Sequence, residues 1–439
     1  MDQVLSQCMH LSKKNDIDQL EFYLEKNNDT ILRSNPAAWT AAIEAMAGDV
    51  GTHTYAITYF AGLRALQTDE ASGNGTVAIV EALIAKGNYK QLRGREKVMG
   101  KWRDAIRRYT KAVREAKAYR RGMKHLAEAI KYFKPTEEHL SPAHAGFVQL
   151  ALKGNNPKVA LPLLAKPIYN IDPSETGVDA LDYMSYYYYG ALVYCAYHKW
   201  NDALRFFENC LNVPAVAPSL VMLEAFKVAL LVGVIANGRA FQLPRGVSHS
   251  NEKLLRSLAE PYVDVVAGLE SGESQKVAKA LKDGERTFIE DNLMHFVEKA
   301  MQAFSKQHIA GLTRVYVTLP LKQVATMVGM STQQVETLLR EMITDKQIEA
   351  QINSADGTVN FGKRGSEVDA TALLEKIAKA EEMAKRIQAH DEEVQLSRPF
   401  VMAKLRAMPN LKELLAEYEA KRKQARGIGG ALADVLRGQ

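Results

Sequence analysis

Cysteine is scarce in this chain. Three occur in 439 residues, Cys8, Cys195 and Cys210, in no Cys-x-x-Cys spacing, which excludes a disulfide framework or zinc-finger spacing and fits a reducing compartment. They read as buried small hydrophobes. The ten histidines are scattered singly, with no His-x-His followed by an acid and no His-Glu-x-x-His, so no metal site is expected. Gly73 and Gly75 form a Gly-x-Gly in helical surroundings, and no Gly-Lys-Ser/Thr follows, so a nucleotide cofactor has no support. No strand or elbow exposes Cys195 or Cys210 as a nucleophile. We therefore expect no catalytic residue, no cofactor, no metal and no enzyme activity. The sequence opens without a basic stretch followed by an apolar core, and its longest apolar run, Val228 to Ala236, is far shorter than the ~20 residues that cross a bilayer. A cytoplasmic and nuclear protein without membrane contact is the expectation.

What is present is mostly helical. With 47% hydrophobic and 25% charged residues, the chain can bury two or three sizeable cores. From Leu5 to about Ala240 the apolar residues recur at helical steps, as in Ile17, Leu20 and Leu24, or Val77, Val80, Leu83 and Ile84. Breaks are expected near 27–30, 72–75, Pro135, 155–157 and 172–177. Helices this short pack as pairs. Tyr187, Ala191 and Tyr194, then Ala203, Phe207 and Cys210, nearly reproduce a tetratricopeptide pair with its glycine displaced to Gly190. The rhythm predicts an irregular α-solenoid.

The period changes after His308. Ile309, Leu312, Val315 and Tyr316 mark one helical stripe; Val324, Ala325 and Val328 mark a second helix, started at Pro320 and closed by Gly329. Ser331 with Gln334 has capping-box spacing before Val335, Leu338, Leu339 and Met342. Ile348, Ala350 and Ile352 then alternate, and after the 353–357 loop Val359 and Phe361 alternate on the return, a β-hairpin. Three helices and a hairpin make a winged helix. Specific DNA binding is not expected, because the third helix carries only Glu336, Arg340 and Glu341.

Leu312-Thr-Arg-Val-Tyr-Val-Thr-Leu319, Met342-Ile-Thr-Asp-Lys-Gln-Ile348 and Ala350-Gln-Ile-Asn-Ser-Ala-Asp-Gly357 resemble the winged-helix half of a PCI domain, the scaffold shared by the signalosome, the proteasome lid and the translation initiation factor three complex. Phe288-Ile-Glu-Asp-Asn292, Glu224-Ala-Phe226 and Tyr186-Tyr-Tyr-Tyr-Gly190 extend the likeness, which is greatest to the third-subunit branch of the signalosome. The resemblance implies a non-catalytic scaffold in a complex that removes a ubiquitin-like modifier from cullins. Its alternatives are a paralogous subunit of the lid or initiation-factor complex, or a nucleic-acid-binding PCI adaptor. It also implies an α-solenoid over 1–216, a PCI domain over 217–362 (helical part 217–307, winged helix 308–362), and C-terminal assembly helices over 363–439.

Three surfaces are candidate partner sites. The hairpin, with Ile348, Ile352, Asp356, Val359 and Phe361, is expected to offer a strand edge to other PCI subunits. A long helix from about Val368 to Ala389 carries Leu373, Ile377, Ala380, Ala384 and Ile387 at steps of four and three, a seam suited to a bundle with sister subunits; Leu411, Leu414, Leu415 and Tyr418 suggest a last short helix. Residues 86–131 hold sixteen Lys/Arg against four acids, a surplus twice the chain's net charge of +6. An acidic protein partner at Arg107, Arg108 and Lys111 is one reading, and a solvated face offset by acids elsewhere in the fold is the other. The tyrosines at 183, 186, 187, 188, 189 and 194 are expected to pack, since stacking on nucleic acid would also need interleaved cations.

Overall fold

Among the residues described in the computed structural model (2–67, 70–271, 274–345, 347–353, 356–361 and 370–406), the regular elements before Thr318 are all helical. The tetratricopeptide-like pair is Ala180–Ala196 and Trp200–Leu211. Tyr187, Ala191 and Tyr194 on the first helix and Ala203, Phe207 and Cys210 on the second are all buried. Gly190 sits where they cross, and a Cβ there would lie 2.7 Å from the Phe206 ring. The expected break at 72–75 does not exist: these residues lie inside the helix Glu70–Lys86. A Cβ on Gly75 would come within 2.2 Å of the Arg64 guanidinium, the mobile end of a long side chain that can move aside.

The helix Leu220–Asn237 starts at Ser219, whose hydroxyl accepts from the Met222 amide, and ends at Gly238 with φ of 67°; that left-handed turn favours glycine. By length and composition this helix could cross a membrane, yet 61% of it is buried in the fold. A helix this apolar suits a core position.

His144 is buried at the start of the helix Pro142–Lys153, where its Nδ1 accepts from the Ser141 amide at 3.1 Å. Burial pushes its imidazole down from 6.5 to about 3. The folded chain thus keeps the ring neutral, and the stability it contributes is present above pH 6.5 and lost as pH falls toward 3. His144→Gln should flatten the acid limb of a stability–pH profile over that window; an unchanged slope would assign acid unfolding to other groups.

One continuous apolar core runs from Val4 to Ala300, and a second is built from Ile309 to Phe361. A single helix, Met294–Val315, enters both: Phe296, Val297 and Ala300 lie in the first and Ile309 in the second. Its last turn departs from the expected stripe. Val315 is 73% exposed, because the chain leaves the helix there to enter a strand.

That strand, β1 (Thr318–Pro320), is not among the elements the sequence pattern predicts. With β2 (Ala350–Asn353) and β3 (Thr358–Phe361) it forms an antiparallel sheet in the order β1-β3-β2. Between them the second helix is Leu321–Val328, ended by Gly329 at φ 75°, and the third is Thr332–Thr344, opened by a complete Ser331–Gln334 capping box. The winged helix stands as the sequence predicts.

The chain divides into two compact units, Met1–Gly362 and Lys363–Gln439. In the second, the helix Ala370–Leu396 runs seven residues past the expected end, about 40 Å at 1.5 Å per residue. Arg398–Arg406 follows. Leu411, Leu414, Leu415 and Tyr418 lie outside the described residues.

Candidate protein-interaction surfaces

In the winged-helix sheet, β3 is central and is paired on both sides. Val359 and Phe361 therefore belong to the second core, and Ile348 is buried with them, so these three cannot form the open edge expected of them. A sequence shows a hairpin but not which neighbour a short third strand such as β1 will take. Among the described residues β2 is an edge strand, as β1 is on the other side of β3. Phe361 donates its N–H to the Val317 carbonyl, on the β1 side, at 2.7 Å, and alternation turns the Asn360 amide toward β2, where Gln351 is its partner in register. The amides of Ala350 and Ile352 then face outward. A cleft of about 690 Å³ borders this edge, lined by Ile343, Glu349, Gln351 and Asn360 among others. Asp356 at the hairpin tip is exposed and accepts from the Asn353 amide group at 2.6 Å.

On the third helix, Arg340 donates to Glu336 at 2.7 Å, and Glu341 pairs with Lys306 at 3.5 Å.

Much of the basic segment is answered from within the fold. Arg93 pairs with Glu175, Lys97 with Glu25, and Arg121 with Glu81. Arg107 is the clearest correction to the acidic-partner expectation, because it is gripped by Asp179 and, at 2.8 Å, by Asp182. These aspartates are also the capping box of Ala180–Ala196, each accepting from the other's backbone amide. Burial pushes the Asp182 carboxyl up to about 6, against the pull of Arg107. An Asp-x-x-Asp ahead of an aromatic run signals the cap; nothing in it names an arginine 72 residues upstream. Arg108 is half-buried, and Lys111 is exposed with Glu115 at 3.9 Å.

Tyr186, Tyr187 and Tyr194 are core side chains around Phe206, while Tyr183, Tyr188 and Tyr189 are partly buried. Cys8, Cys195 and Cys210 are buried and free, each thiol pushed up to about 12 by burial. Among the described residues no group of three His, Cys, Asp or Glu is placed to hold a metal ion.

Two of the strips that carry the resemblance upstream of the winged helix, Glu224–Phe226 and Phe288–Asn292, meet in space. Lys227, on the Leu220–Asn237 helix, donates to Glu224 at 2.8 Å and to Asp291 at 2.7 Å, and Tyr262 donates to the same Asp291 oxygen at 2.8 Å. Burial pulls the Lys227 ammonium down, but its bonds to Asp291 and Glu224 outweigh that and hold it above its ordinary value.

Helical repeats joined through one shared helix to a three-stranded winged helix define a PCI-domain protein, and residues 279–363 match the PCI domain family. Residues 14–250 match the family described as COP9 signalosome complex subunit 3, N-terminal helical repeats. The chain belongs to the COP9 signalosome subunit 3 family. It is 27% identical over 318 residues to the COP9 signalosome complex subunit 3 of Dictyostelium discoideum, covering 71% of this chain and 75% of that protein. The subunit 3 of Drosophila melanogaster is likewise 27% identical, over 331 residues, covering 71% of this chain and 74% of the relative.

Proposed function

We propose that this chain is a non-catalytic scaffold subunit of the COP9 signalosome, working in cytoplasm and nucleus, in the complex that removes a ubiquitin-like modifier from cullins and so regulates cullin-RING ubiquitin ligases. Catalysis belongs to another subunit. The observation that carries the reading is the open β2 edge with its bordering cleft, set on a winged helix that the Met294–Val315 helix ties to the repeats. A sister PCI subunit extends the sheet there, its backbone meeting the outward amides of Ala350 and Ile352. The Ala370–Leu396 helix joins the C-terminal helices of sister subunits.

Ala350→Pro removes an outward donor at the first residue of β2, where proline is tolerated. Co-purification of sister subunits with the tagged chain should fall about tenfold, while the circular dichroism spectrum is kept. Undiminished recovery of sister subunits by the folded variant would take the β2 edge out of the assembly.

A further inference from the structure

The internal ion pairs leave several cations of the basic segment unanswered, and two basic side chains, Lys111 and Arg114, line one groove. This groove, of about 230 Å³, opens between the helices Glu96–Glu115, Pro142–Lys153 and Ala180–Ala196, with Lys111, Arg114, Gln149, Leu181, Ser185 and Tyr189 in its lining. Arg107 stands at its side, its charge already taken by Asp179 and Asp182. Arg114 makes no ion pair among the described residues, and Lys111 has only Glu115, at the limit of a salt bridge. The Tyr189 hydroxyl accepts from the Gln149 side chain at 2.7 Å, which leaves its own proton to donate. The groove therefore gathers an ammonium, a guanidinium and a phenolic O–H around a space without an anion of its own beyond the neutralised Asp182.

We propose that this groove binds a carboxylate side chain of an acidic peptide segment in a partner protein. The volume fits one side chain, and the walls suit a peptide: Leu181, Pro142 and Ala145 supply apolar surface beside the cations. A carboxylate with its methylene stem meets both kinds of surface, and the two cations at the mouth give charge-assisted bonds. Single-stranded RNA would need stacking faces, and Tyr189, tied to Gln149, is the one aromatic ring in the lining.

The test uses the full chain and a fluorescein-labelled peptide of alternating glutamate and leucine, followed by anisotropy at low and high salt. Lys111→Ala with Arg114→Ala should weaken binding about tenfold, the loss expected for charge-assisted hydrogen bonds. Lys90→Ala with Lys124→Ala removes the same charge from exposed positions outside the groove and should cost under about threefold. Tyr189→Phe, which keeps the ring and the packing, should lower affinity without steepening the salt dependence. Equal losses in the two double variants would replace the groove with a diffuse field. Displacement of the peptide by an RNA oligonucleotide of equal charge at lower concentration would favour nucleic acid, and absence of saturable peptide binding would end the proposal.

Discussion

Replacing Lys227 with methionine is expected to destabilise the folded chain by roughly 3 kcal/mol, measured as a lowered midpoint in urea. The lysine side chain is 10% exposed, and its removal leaves Asp291 and Glu224 facing each other without a cation between them. Asp291 would keep one donor, the Tyr262 hydroxyl, and its side chain is 22% exposed, which places the loss at the lower end for a broken buried pair. The apolar stem of methionine preserves the packing against Tyr262, so the change reads charge rather than volume. Pairing Lys227→Met with Asp291→Leu should recover much of the loss, since a removed ion pair costs less than a widowed charge. A single variant within about 0.5 kcal/mol of the parent would mean that the network is solvated and contributes nothing to stability.

Deleting residues 367–439 should leave the melting transition of the remaining chain in place and abolish its recovery with sister subunits. Among the described residues, the two apolar core clusters end at Phe361. What the deletion removes is the Ala370–Leu396 helix, whose seam is uncovered: Leu373, Ile377 and Ile387 are 49%, 46% and 67% exposed. Each represents roughly 1.5–3 kcal/mol if fully buried, an incentive that a bundle partner can supply. Lys376, Lys379, Glu381, Glu382 and Lys385 flank the seam as charges do beside a coiled-coil stripe. A large drop in melting temperature with sister subunits still recovered would mean that the helix serves its own chain, and its assembly role would have to go.

Corrections to the sequence reading fall where a side chain's neighbour is distant in the chain. Ser331–Gln334 was legible as a capping box because both partners lie within one turn. Arg107 was not legible as a structural cation, because Asp179 and Asp182 answer it from a different helix. Val359 alternates as any strand residue does, and only the arrival of β1 on its other side makes it central rather than an edge. Gly75 resembles a break, yet it lies inside the helix Glu70–Lys86, where a single glycine is tolerated at a modest cost.

The sequence by itself determined the helical repeats, the winged helix and their order, because local periodicity, caps and glycine positions act over a few residues and need no knowledge of the fold. Tertiary structure alone decided which surface remained free. It set β2 at the margin of the sheet, spent Arg107 on the cap of another helix, and left Lys111 and Arg114 beside an open groove. The physical reason is that a strand edge or a charge already paired within the fold has less left to offer a partner, and which groups pair is set by the packing of elements far apart in the chain.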